Sequence, residues 1–231
     1  YDPCTYWKRA PCWYAPDVIQ MITHSRVKHE IATHTFSHLD FSNCSSAVAL
    51  CELKECIKIM KQYGLKPTSM VFPGNRVNHL GLLKKVGIIA HRGVLPSTIS
   101  HPKKSEIWNI PQSLCLRFKP YDNLLKKAKC LIDEAIRSNF VFCMWFHPYE
   151  LNHQIVEQIL VPILNYAEKK RKDGRLWIAT MTEIARYCEA REQIRLRVAD
   201  EGGKNMKISI NTEIDKEIFG IPEVTLKIDL G

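Results

Sequence analysis

The sequence predicts an α/β fold, a barrel-like (β/α) arrangement ending in a small β appendage. Three observations predict it. Helix-period and strand-like segments alternate along residues 1–201, as they do when parallel strands are covered by helices. The two segments richest in chemistry, around His34 and His147, each follow a strand-like run, and the C-terminal rim of a parallel barrel carries such residues. Beyond Gly202-Gly203 the apolar period drops to two, the signature of half-exposed antiparallel strands. The alternation alone fits an open sheet as well; the placement of the two segments favours a barrel.

The elements follow in order. Residues 15–25 read as a helix with Pro16 tolerated in the first turn. Residues 29–33 read as a strand. A helix is predicted over 45–63, where Val48, Leu53, Ile57 and Met60 recur at helical spacing and Gly64 is the stop. A strand over 68–72, a short helix over 80–86 stopped by Gly87, and a strand over 88–91 come next. Pro96, Pro102, Pro111 and Pro120 make residues 93–120 loop with at most a short strand at 107–110. A helix over 122–137 leads to the continuous apolar run 140–146, which reads as a strand buried on both faces. A long helix over 153–172 precedes a strand over 176–179 and a last helix, for which Thr180 and Glu183 form a capping-box signature. Residues 207–211 and 224–229 are the strands of the appendage, so the expected division is 1–201 and 202–231.

The 231 residues are enough for one sizeable core, and 45% of them are hydrophobic. No apolar run reaches the roughly 18 residues of a membrane-spanning helix, and no signal peptide is evident. The chain opens at Tyr1 without a Met, which predicts a piece of a longer protein. The net charge of +9 (33 basic against 24 acidic residues) is scattered. Its densest run, Lys169-Lys170-Arg171-Lys172, ends a helix, where cations complement the dipole, and no nucleic-acid motif accompanies it. The nine cysteines include no Cys-x-x-Cys pair; Cys51 and Cys56, five apart, are poorly spaced for zinc, and Cys115, Cys130 and Cys143, in separate apolar runs, read as small core residues.

Residues 29–38, His-Glu-Ile-Ala-Thr-His-Thr-Phe-Ser-His, place His34 and His38 four apart after a short strand. Two such imidazoles can converge on a cation. They can equally hydrogen-bond backbone in a buried turn, and spacing alone does not choose. A third histidine stands in Trp145-Phe146-His147-Pro148-Tyr149-Glu150. Between them lies Phe72-Pro73-Gly74-Asn75-Arg76-Val77-Asn78. In order and separation these three segments resemble the motifs of the polysaccharide deacetylases, carbohydrate esterase family four, over residues 13–197.

The resemblance implies a deformed (β/α) barrel, usually of seven strands. It implies that His34 and His38 bind a divalent ion, most often Zn²⁺, that Thr35 helps to orient the site, and that His147 is the general acid. It offers Arg76 as the arginine that holds the catalytic base, and Trp145 and Met144 as walls of an acetyl pocket; Met144 reads equally as plain core. The implied activity is removal of N- or O-acetyl groups from a carbohydrate. Two departures stand out. The family's Asp motif, which supplies a metal ligand and the base, is missing: only 33 residues precede His34, and Asp2 and Asp17 lack its setting. The barrel is therefore expected to be incomplete at its N-terminus. Arg76 is also offset from the family's position. Asp40 is a weak candidate replacement ligand, His79 reads as a capping or surface residue, and Glu150 reads as a local backbone acceptor. The competing expectation is a catalytically silent carbohydrate-binding or scaffolding module of the same fold. Substrate identity, compartment and oligomeric state have no sequence signal.

Overall fold

A computed structural model describes residues 5–11, 14–93, 99–117, 122–200 and 206–219. The chain divides into two units, Tyr1–Ile31 and Ala32–Gly231. The first contains α1 (Pro16–Thr23), opened by Pro16 at its first turn. The second contains α2 (Ser46–Gln62), β1 (Ser69–Met70), α3 (Leu80–Lys85), β2 (Ala90–Arg92), β3 (Lys103–Lys104), β4 (Trp108–Ile110), β5 (Leu114–Cys115), α4 (Asp122–Ser138) and β6 (Met144–Trp145). It continues with α5 (His153–Ile155), α6 (Val161–Lys172), α7 (Met181–Gln193), β7 (Arg195–Asp200), β8 (Met206–Asn211) and α8 (Lys216–Phe219).

The helices form where the 3.6-residue period puts them. In α2 the Ser45 hydroxyl accepts from the Val48 N–H, and Gly64 leaves the helix at φ +70°, a left-handed step that costs glycine nothing. The buried stripe is Ala49, Leu53 and Met60, so Leu53 and Met60 are buried as expected, Ile57 is half-buried, and Ala49 is buried where Val48 was expected. Leu124, Ala128, Ile132 and Ala135 are the buried face of α4, spaced for one side of a helix. The predicted capping box at Thr180 and Glu183 is formed from both sides. The helix expected over 153–172 is continuous but carries a π-turn at Val156–Leu160. Pro162 follows within the next turn, and it has no N–H to return to the Gln158 carbonyl, so the ladder slips to the wider register there.

Strands are shorter than the sequence suggests. The main sheet has the order β1-β2-β4-β3, with β1, β2 and β4 parallel and β3 antiparallel. Thr33 alone, from the expected strand 29–33, joins this sheet as a parallel bridge to Met70. A separate parallel pair, β5-β6, aligns Leu114 with Met144 and Cys115 with Trp145. No closed barrel forms among the described residues; the chain is a mixed α/β fold with parallel sheets. The apolar run 140–146 is half-buried rather than enclosed on both faces, because β6 has one strand neighbour. Residues 176–179 form no strand, and Trp177 and Ile178 are exposed. Apolar character favoured the strand, but among the described residues no partner supplies a ladder for it. The antiparallel pair β7-β8 takes its first strand from Arg195–Asp200, ahead of the boundary expected at 201. Residues 224–229 lie outside the described residues.

Three apolar clusters hold the second unit together. Phe41, Leu53, Met70, Phe72, Leu83 and Ile88 pack α2 and α3 against β1. Leu116, Ile132, Ile155 and Ile163 pack α4 and α6 beneath β5-β6. Ile89, Ala90, Trp108, Ile110 and Ala185 seat α7 on β2 and β4. Full burial of such side chains contributes about 1.5–3 kcal/mol each.

Candidate active site

Thr33, β1 and β2 run parallel, so their C-terminal ends share one edge. From that edge come His34, the turn Pro73–Asn75 and Arg92. Trp145 and His147 come from the C-terminal end of β6. Placement at strand ends is what the sequence pattern predicted for the histidines.

His34 and His38 face each other, edge to face, with ring centroids 4.9 Å apart. Nδ1 of His34 lies 2.7 Å from the Val71 carbonyl. A carbonyl only accepts, so Nδ1 carries the proton and Nε2 keeps its lone pair, the tautomer a metal ligand needs. Burial lowers the His34 pKa; the Val71 bond opposes this, and His38, Arg92 and His147 add repulsion in the same direction as burial. His38, Arg92 and His147 are thus charged or chargeable neighbours of His34.

The loop that carries the pair is held by a residue the sequence reading passed over. Glu52, on α2, accepts from the backbone N–H groups of Phe36 (3.0 Å) and Ser37 (2.9 Å) and from the Ser37 hydroxyl (2.7 Å). Thr35 and His38 both adopt left-handed backbone, φ 66° and 61°. Thr35 Oγ1 accepts from the Leu39 N–H, and its own N–H donates to Thr33 Oγ1. Its hydroxyl thus shapes the loop that presents both rings.

At the other strand end, His147 donates from Nδ1 to Glu150 Oε2 at 3.0 Å, and its backbone N–H reaches the same oxygen at 2.9 Å. Arg117 lies 3.7 Å from the other carboxylate oxygen. Burial would raise the Glu150 pKa, but the His147 bonds and Arg117 together hold it below the ordinary carboxylate value. Glu150 is therefore more than a backbone acceptor: it fixes the ring of His147 and leaves Nε2 free. The spacing His-x-x-Glu was the available signal. Trp145 packs edge-on to His147 at 5.6 Å, and Tyr149 stacks on its far face at 5.1 Å.

Arg76 directly follows the Pro73–Asn75 turn. It is exposed and ion-paired with Asp40, while Asp40 also caps the turn Phe41–Asn43 through Ser42. The guanidinium that reaches the site is that of Arg92: its Cζ lies 4.4 Å from the Trp145 ring centroid, and Nη2 donates to Asn75 Oδ1 at 2.9 Å. Nothing in the sequence separated Arg92 from an ordinary strand end. Met144 is half-buried and packs with the α4–α6 cluster. His79 holds the N-cap position of α3, yet its side chain makes no cap; Nε2 bonds the Cys44 carbonyl instead.

The donor set fits a divalent cation in part. His34 and His38 supply two imidazoles, but among the described residues no group of three or more His, Cys, Asp or Glu side chains is placed to hold a metal. Catalytic zinc sites usually have three protein ligands.

Comparison with known proteins adds the fold. The structure is similar to the crystal structure of PuuE allantoinase, with a TM-score of 0.58 and 17% identity over 80% of this chain. The match spans 64% of that protein's length. No protein-family model matches the sequence, and no curated protein does.

Proposed function

We propose that this chain is a metal-dependent hydrolase that removes N- or O-acetyl groups from a carbohydrate, built on an open form of the deformed (β/α) barrel. The observation that carries the reading is the pairing of His34, with Nδ1 committed to the Val71 carbonyl, against His38. His34 also lies in the electrostatic neighbourhood of a His147 held by Glu150. A likeness in fold to a solved enzyme supports it.

His34 and His38 would hold the cation, with Zn²⁺ the ion that suits imidazole donors. A divalent cation there supplies Lewis acidity toward an acyl carbonyl. The chain's own groups do the rest. Glu150 holds the His147 ring by Nδ1, so Nε2 is the atom that delivers a proton to the departing nitrogen or oxygen. Trp145 and Tyr149 limit the ring's freedom on its edge and face. Trp145, with Met144 behind it, is the proposed wall for the acyl group. Arg76, committed to Asp40, is proposed to brace the turn after β1 beside the site.

A second reading, a catalytically silent carbohydrate-binding module, is favoured by one observation: the absence of a third ligand among the described residues. Acetate release from acetylated amino sugars by the full-length protein, measured with its metal content, separates the two. The enzyme reading expects His147→Ala to lower turnover about 10²–10⁴-fold with metal retained, and His34→Ala to lose the metal. Full-length protein that binds no divalent ion and releases no acetate would leave the silent module standing.

A further inference from the structure

One charged group in this site has no counterion among the described residues. Arg92 ends β2, with its guanidinium over the face of Trp145 and one nitrogen on Asn75. Its Nε is buried and has no hydrogen-bond partner, and among the described residues no carboxylate forms an ion pair with it. The other ionisable neighbours that bear on it are the thiols of Cys143 and Cys115. Burial raises both of their pKa values, so neither thiol is an anion at neutral pH. His34 and His147, the remaining charged or chargeable groups nearby, are of the same sign or neutral. Burying a cation without a partner is costly, and stacking on Trp145 offsets only part of that.

We infer that Arg92 is an anion receptor and that the substrate carries a carboxylate close to its scissile acyl group. This rests on the hydrolytic reading of the site and narrows its substrate class. A planar carboxylate suits the fork made by the guanidinium nitrogens.

Binding tests this without turnover. N-acetylglycine and its neutral analogue N-acetylglycinamide are titrated into the ¹⁵N-labelled protein at low salt, following the Arg92 Nε–H and Gly93 N–H resonances. The acid should bind at least about tenfold more tightly than the amide, as a charge-assisted fork contact predicts. Arg92→Met should bring that ratio to about twofold or less, and Arg92→Lys, which keeps the charge in a folded chain but not the fork, should leave an intermediate ratio. Equal affinity for acid and amide in the unaltered protein overturns the inference, as does failure of both to bind. A preference that survives Arg92→Met, or tighter binding of inorganic phosphate than of the carboxylate, also overturns it. Acetate release is a separate readout: a competent deacetylase with no anion preference sinks this inference alone, and an inert protein that prefers the acid sinks only the hydrolytic reading.

Discussion

At the scale of single residues, Glu52 shows how a loop site is built from a distance. One carboxylate gathers three donors from Phe36 and Ser37, and those residues lie between the two imidazoles. Glu52→Ala should cost about 1–2 kcal/mol, since two backbone N–H groups lose their acceptor. On the proposed function it should also weaken zinc binding about tenfold, as loss of supporting contacts around a metal site commonly does. Competition against a chromophoric chelator measures the second effect. Unchanged affinity would show that the loop holds its rings without Glu52. The histidines themselves were legible in the sequence because chemistry concentrates in unusual residue types. Glu52 and Arg92 were not, because their partners lie far along the chain. Phe36 is 16 residues from Glu52 and Asn75 is 17 from Arg92, and no local pattern records such contacts.

At the scale of elements, the helices were readable and the strands were only partly so. A helix such as α4 repeats its apolar face over four turns, and the pattern survives local noise. The strands of this chain are two to three residues long in both sheets that carry the site, too short to show a period of two. Lys103–Lys104 has no apolar signal, yet it forms β3 against β4. What holds it there is an ion pair. The Lys104 ammonium lies 2.8 and 2.6 Å from the two oxygens of Glu189 on α7, and the Trp108 indole N–H donates to the same carboxylate at 2.9 Å. Glu189 is 4% exposed. Burial would raise its pKa, but Lys104 and Trp108 hold it below the usual glutamate value. Lys104→Met should therefore cost about 3 kcal/mol by stranding a buried carboxylate, visible as a lower urea midpoint. Glu189→Gln should cost less, about 1 kcal/mol, because the partly exposed Lys104 ammonium can turn to water.

At the scale of the whole molecule, pH acts on stability in one direction. His91 is 2% exposed, with its ring against Phe72 and Nδ1 on the Arg92 carbonyl, and burial lowers its pKa from 6.5. The unfolded chain therefore binds that proton more readily than the folded one. Stability is full above about pH 6.5 and falls as the pH drops from there to the lowered folded value. The carboxylates of Asp40, Asp133, Glu150, Glu168 and Glu189 are shifted down from 3.8 or 4.5, Glu168 to about 2. Their contribution is present above those ordinary values and is lost as the pH falls through the folded ones. Thermal melting from pH 8 to pH 3 should show two separate declines. His91→Asn, which keeps a donor for the Arg92 carbonyl, should shrink the first decline to the share of His34, whose pKa burial also lowers, and leave the second. A first decline of equal depth in that variant would assign it to other groups.

The left-handed turns at Thr35 and His38 set a conflict between durability and grip. A residue with a Cβ sits there at a cost of about 1–2 kcal/mol relative to ordinary backbone, and glycine would not bear it. Replacing His38 by glycine should leave the protein about 1 kcal/mol harder to melt and, on the proposed function, without one of the two imidazoles that would hold the cation. A search for heat-resistant variants of this chain would then drift toward glycine at that position, discarding the very ring the loop is bent to present.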